Sequence, residues 1–136
     1  MTVDWESLTV APERTHHLRG GRSAYDRRFH EVLKFHEPGL APVRDIDGAY
    51  HIDHTGTPAY AQRCLRTFGF YEGRAAIETA DGWAHIMPDG CLLSPFRYAW
   101  CGNFQEGRCP VRHRDGTYSH IGFNGQELYS VRYRYA

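Results

Sequence analysis

Apolar and polar positions alternate along short stretches of this chain, and glycine turns separate the stretches. In "RCPVRHR" (108–114) Cys109 and Val111 fall two apart, the period of a half-buried strand. "TYSHI" (117–121) is short, β-branched and aromatic, and "RYAWCGNF" (97–104) is aromatic and interrupted at Gly102. Turn signals recur every 8–12 residues or so, the spacing of an antiparallel meander. The Asp-Gly pairs at 47–48, 81–82, 89–90 and 115–116 suit tight turns, because glycine accepts positive φ. One stretch dissents. "YDRRFHEVLKF" puts Tyr25, Phe29, Val32 and Leu33 on one helical face. Its register aligns it with "YAQRCLRTFGF" and "SPFRYAWCGNF", whose glycines and prolines oppose a helix. Strand is therefore preferred there, with helix as the alternative.

That register comes from an internal repeat. Gly39, Gly73 and Gly107 stand 34 apart, and Val43, Ile77 and Val111 follow them. A turn ending in Gly48, Gly82 or Gly116 leads to His51-Ile52, His85-Ile86 and His120-Ile121. Gly56, Gly90 and Gly125 come five residues after each histidine, and His16 with Gly21 keeps the same spacing in a degenerate first copy. Arg28, Arg63, Arg97 and Arg132 follow these glycines by seven residues, and Phe35, Phe70 and Phe104 follow the first three by fourteen. The unit reads G-x6-R-x6-F-x-E-G-x3-[VI]-x4-G-x2-H-I, with Pro38 inserted in the first copy and one extra residue before His120 in the third. The expected fold is all-β: about three and a half 34-residue antiparallel β-meander units, solenoid-like or propeller-like. Residues 1–15 read as an N-terminal cap or arm, and 16–136 as the repeat domain. Its units run over approximately 21–55, 56–89 and 90–124, with a partial fourth over 125–136. The last of these, "GQELYSVRYRYA", stops short of an F-x-E-G strand, so a longer parent or a sheet-closing strand is expected.

Composition narrows the function classes. Sixteen basic residues balance sixteen acidic ones, so the chain has no overall basic footprint and no nucleic-acid partner is expected. No run approaches the roughly 20 apolar residues of a membrane span, so no membrane partner is expected either. "MTVDWESLTVAPERTHH" lacks a cationic start leading into an apolar run. The four cysteines are then expected as thiols in a cytoplasmic protein.

The candidate chemistry follows the repeat. His51, His85 and His120 should form a row, but equivalent positions in stacked units lie too far apart for one metal, and no metal or other cofactor is expected. The cysteines show no C-x-x-C pattern; a Cys/His nucleophile pair such as Cys101 with His113 stays open. The arginine ladder (Arg28, Arg63, Arg97, Arg132) and the glutamate ladder (Glu37, Glu72, Glu106) read either as a grip for an acidic ligand or as cross-strand ion pairs. The latter is preferred, because a site for one ligand should break the periodicity. Residues unique to their copies are therefore of more interest, among them Trp5, Trp83, Trp100, Lys34, His36, His54 and His113. The candidate binding anchors are Trp83, Trp100, Arg63, Arg97, His85 and His113.

These units resemble WG repeats, a bacterial β-repeat family also called KWG. Its unit carries a strand of the form F-x-E-G-x-A-x-V, which "FYEGRAAI" and "FQEGRCPV" match. The second half departs: Gly82-Trp83 holds the family's Trp-Gly pair in reverse order, and its closing Asp persists only as Asp53. The resemblance covers roughly residues 16–136 and bears on fold more than on function. More narrowly, "PERTHHLRGG", "VLKFHEPGLAPVRD", "GAYHID", "RTFGFYEGRAA" and "YAWCGNFQEGRCPVR" resemble the N-terminal repeat region of certain bacterial methyltransferase-like proteins. That resemblance implies an attached S-adenosylmethionine-dependent domain, yet "RGGRSAY" lacks the G-x-G-x-x-G spacing of a cofactor loop. The function expected is a non-catalytic binding or scaffold module of a longer protein, whose partner is another protein or an attached catalytic domain. The alternatives are the substrate-presenting region of such a methyltransferase and a small Cys/His enzyme.

Overall fold

Strands form where the alternating pattern meets a two-residue turn. Glu72-Gly73 joins the strands Arg66–Tyr71 and Arg74–Thr79 with both residues at positive φ, 52° and 82°. This is the twist-matched hairpin turn, and Glu106-Gly107 repeats it at 53° and 81°. The computed structural model describes residues 4–134. Met1, Thr2 and Val3 of the expected arm, and Tyr135 and Ala136 of the expected fourth unit, lie outside the described residues.

Four antiparallel sheets of three strands follow one another in sequence. A short 3-10 turn, Trp5–Ser7, precedes them, and the described residues contain no α-helix. The first sheet holds β1 (Thr9–Val10), β2 (His17–Arg19) and β3 (Arg22–Ser23). The second holds β4 (Glu31–Val32), β5 (Ala41–Asp45) and β6 (Gly48–Ile52). The third holds β7 (Arg66–Tyr71), β8 (Arg74–Thr79) and β9 (Gly82–Ile86), and the fourth β10 (Trp100–Cys101), β11 (Arg108–Arg112) and β12 (Tyr118–Gly122). Residues 1–15, set apart by the sequence, thus contribute β1.

The later sheets share one register. Pro42 faces His51, Ala76 faces His85 and Pro110 faces His120. In the first sheet Val10 faces His17. His17, not His16, therefore occupies the row in the degenerate copy, because its following turn is one residue shorter. Side chains alternate between the two faces of each sheet. One face of the second sheet sends Ala41, Val43, Tyr50 and Ile52 into the core, and the opposite face, with Pro42 and His51, packs on β7. The third sheet places Ala76 and Trp83 against Cys109, Val111 and Ile121 of the fourth.

Two local readings change. "YDRRFHEVLKF" contributes only β4. Tyr25, Phe29 and Val32 are buried as the helical spacing demanded, but the first two from a loop and Val32 from β4, and Leu33 points outward at 38% exposure. In the Asp-Gly pairs at 47–48 and 81–82 the glycine opens the next strand. A Cβ on Gly48 would lie 2.9 Å from the Cys64 carbonyl oxygen, and one on Gly82 2.9 Å from that of Tyr98. Close approach of the next segment requires glycine there, in addition to the φ of 126° and 127°.

Candidate functional site

The repeated histidines are junction groups between sheets. His51 Nε2 donates to the Phe68 carbonyl at 2.7 Å, which fixes the tautomer, so Nδ1 accepts the Tyr60 hydroxyl at 2.5 Å. His17 repeats this with the Leu33 carbonyl (2.7 Å) and Tyr25 (2.6 Å). His85 donates to the Gly102 carbonyl at 2.9 Å, but Ser94 stands where the other copies have tyrosine. Each imidazole also packs on the phenylalanine of the next unit: His17 on Phe35 at 4.4 Å, His51 on Phe70 at 4.6 Å and His85 on Phe104 at 5.0 Å. Burial holds all three histidines below the ordinary range, His51 at about 4. The tyrosine partners escaped the sequence reading. Their signal is a tyrosine eight or nine residues after the histidine, in three of the four copies.

The arginine and glutamate ladders do not pair with each other among the described residues. The Arg63 Nη1 donates to the carbonyls of Tyr60, Ala61 and Gln62, while its guanidinium lies 3.8 Å over the Tyr50 ring. Arg28 holds the carbonyls of Tyr25, Asp26 and Arg27 in the same way, and Arg97 those of Pro95 and Phe96. These arginines tie down loops whose carbonyls have no ladder partner. Of the glutamates, Glu72 acts one unit onward instead: its carboxylate accepts the backbone N–H groups of Glu106 and Gly107 at 2.8 and 2.9 Å.

The thiols are chemically quiet. Burial pushes Cys64 and Cys101 up and raises Cys109 to about 12; exposed Cys91 is raised by the Asp89 carboxylate. A nucleophilic thiol needs the opposite shift. The thiol that meets a histidine is Cys109, 3.4 Å from His85 Nε2, and both groups are buried. His113, left open as a partner for Cys101 in the sequence, lies instead 2.7 Å from Ser119 Oγ and 3.2 Å from Glu127.

The six candidate anchors are dispersed. Trp83 stacks on Phe68 at 5.3 Å with the Arg66 guanidinium 5.4 Å away. Arg63 and His85 hold backbone carbonyls. Arg97 and His113 share a recess of about 260 Å³ with Tyr98, Glu127 and Arg132. Its charges close on themselves: Arg132 and Ser119 bond Glu127 and hold its carboxyl low against burial.

Trp100 stands apart from the other five. It lies on the outer face of the fourth sheet, 38% exposed, beside Pro110 and His120. The positions equivalent to Pro110 and His120 on the inner sheets are covered: Pro42 and His51 are fully buried, and Ala76 and His85 are 2% and 3% exposed, while Glu31 and Arg66, at the position of Trp100, are exposed. Pro110 and His120 are half-buried, and no residue among those described packs a further sheet against them. The face is a recess of about 640 Å³, rimmed by Asn103, Glu106 and Arg108.

No family model matches the sequence, and no curated protein matches it. Among solved structures the chain is similar to BamB from Moraxella catarrhalis, with a TM-score of 0.58 at 12% identity. The match covers 97% of this chain and 49% of that one, so this chain spans about half its length. At that identity the likeness is one of fold: an all-β array of small antiparallel sheets.

Proposed function

We propose that this chain is a non-catalytic β-repeat module of the WG type, about three and a half 34-residue units long, that holds a protein partner on the outer face of its fourth sheet. The observation that carries the reading is the exposure of Pro110 and His120, whose counterparts Pro42, Ala76, His51 and His85 are buried in the inner sheets, next to the part-exposed ring of Trp100. An apolar, aromatic centre with a polar rim is the composition of a protein-binding surface. The polar groups elsewhere support the same reading, since the buried histidines, thiols and ladder arginines are engaged in joining sheets and loops.

A photo-crosslinking residue at position 112, exposed beside this face, tests the reading against one at exposed Leu65. Capture of a discrete protein in cells from 112 and not from 65, reduced by Trp100→Ser, is expected. Equal capture from both positions, or capture indifferent to Trp100→Ser, refutes the face as the binding surface.

A further inference from the structure

The inner junctions define what the outer face is shaped to receive; this inference rests on that face being the docking surface. At each junction the incoming strand makes the same two contacts. A carbonyl (Leu33, Phe68, Gly102) accepts from the histidine of the sheet before, at 2.7, 2.7 and 2.9 Å. Two residues later a phenylalanine ring packs on that same imidazole. Between the third and fourth sheets the turn after the phenylalanine is gripped as well, by the Glu72 carboxylate on two backbone N–H groups.

The fourth sheet carries the receiving half of this contact complete. His120 occupies the register position of His51 and His85, and the Tyr129 hydroxyl holds its Nδ1. The Tyr129 contact orients the ring, Nε2 has no protein partner among the described residues, and a carbonyl arriving there selects the tautomer of the inner histidines, with Nε2 donating and Nδ1 accepting from Tyr129. Glu106 stands where Glu72 stands, exposed on the rim of the same recess. We infer that this face takes an extended F-x-E-G hairpin from a second polypeptide. The carbonyl two residues before the hairpin's phenylalanine accepts from His120 Nε2, the phenyl ring packs on the imidazole beside Trp100, and the turn N–H groups donate to the Glu106 carboxylate. An intact second copy of this chain cannot supply the strand, because Phe35, Phe70 and Phe104 are buried at 1–2% exposure. The partner is a separate chain that presents such a hairpin unpaired; a further F-x-E-G unit of the same polypeptide would fill the face itself, and an added hairpin peptide would then find no site on the whole protein.

The peptide "RTFGFYEGRAAIET", the sequence of Arg66–Thr79, serves as the probe, titrated to about 1 mM against the whole protein while backbone amide shifts are followed. Shifts confined to Trp100, Arg108–Arg112 and Tyr118–Gly122 are expected. Replacing the peptide phenylalanine that corresponds to Phe70 with alanine should weaken binding about tenfold or more, and Glu106→Gln in the protein several-fold. Binding that ignores both changes, shifts elsewhere, or no shift at about 1 mM overturns the inference. So does concentration-dependent self-association abolished by Trp100→Ser, which assigns the face to a second copy. A protein captured from position 112 and not displaced by the peptide sinks the hairpin chemistry while leaving the binding module standing.

Discussion

Acid should loosen this fold through its histidines before its carboxylates titrate. His51 is neutral in the folded chain with a pKa of about 4, against 6.5 in an accessible state. The unfolded chain therefore binds more protons between those values, and stability falls as pH drops from 6.5 toward 4. The stabilisation is full above 6.5 and wholly lost below about 4. A displacement of that size is worth roughly 3 kcal/mol, a large share of the 5–15 kcal/mol or so that holds a typical domain. Burial lowers His17 and His85 in the same direction, so with all three titrating the slope approaches about 4 kcal/mol per pH unit. The carboxylates with depressed values, Asp45, Asp53, Asp89, Asp115 and Glu127, start from 3.8 or 4.5, so their loss comes later. Urea unfolding followed by tryptophan fluorescence between about pH 7 and about pH 4.5 isolates the histidines. His51→Gln keeps an amide N–H for the Phe68 carbonyl and removes the titration, so it should cut the slope by about a third. A wild-type stability flat across this range, or a His51→Gln slope equal to wild type, refutes the junction role.

Three further outcomes follow from the same structure. Alkylation of the native protein should modify Cys91 alone, with Cys64, Cys101 and Cys109 reacting only after denaturation; fast native labelling of Cys109, read by mass spectrometry, contradicts the buried His85 contact. Gly73→Ala and Gly107→Ala should cost about 1–2 kcal/mol each in thermal melts. Gly82→Ala should cost more, because its Cβ also meets a backbone oxygen; equal costs at all three sites argue against that close approach. Arg63→Lys should destabilise by about 1–3 kcal/mol, because one ammonium cannot both span three carbonyls and lie flat on Tyr50. A chemical denaturation curve matching wild type speaks against the loop-tie role.

The repeat carried the fold in the sequence because its spacing is imposed by the sheets. Gly73 and Gly107 recur since one turn geometry recurs, and His51 and His85 recur since one junction recurs. Partner identity was not legible, because a ladder gives the spacing of its members and not the direction in which they reach. Arg63 and Glu72 share a repeat, so pairing between the ladders was the natural reading. In three dimensions the arginine turns back on its own loop and the glutamate reaches forward to the next turn. The helical spacing of Tyr25, Phe29 and Val32, which kept helix open as the alternative there, has a related cause. A loop that wraps a core can bury every third or fourth residue without a helix when a side chain such as Arg28 takes its carbonyls. Trp100 was legible as a residue unique to its copy, but the exposure of Pro110 and His120 beside it depends on the face at which the described sheets stop packing.

The junction chemistry also gives the array a direction. Each contact joins unlike halves: an imidazole N–H, a ring face and a carboxylate on the earlier sheet, and a carbonyl, a phenylalanine and two turn N–H groups on the later one. The glutamate half is complete only where the turn is Glu-Gly. In the first copy Pro38 intervenes after Glu37, and no matching grip from Glu37 onto the Glu72-Gly73 turn appears among the described hydrogen bonds. The grip is present in the Glu-Gly copy that precedes the fourth sheet, and Glu106 preserves it on the open face. The Ala75→Cys109 difference between successive copies adds a thiol donor to the Gly102 carbonyl at 3.0 Å, where Tyr60 has no counterpart opposite His85. The third junction thus lacks a hydroxyl on Nδ1 and gains a thiol from the incoming strand at the other end of the ring, beside Nε2 and the carbonyl it bonds. His120 regains its tyrosine, Tyr129. A hairpin with alanine at that position, as in the Arg66–Thr79 peptide, is accordingly the better match to the open face than one with cysteine. The Ala→Cys peptide should bind no tighter than the parent, and a clear gain in its affinity would show that the tyrosine-held ring is not the receiving group.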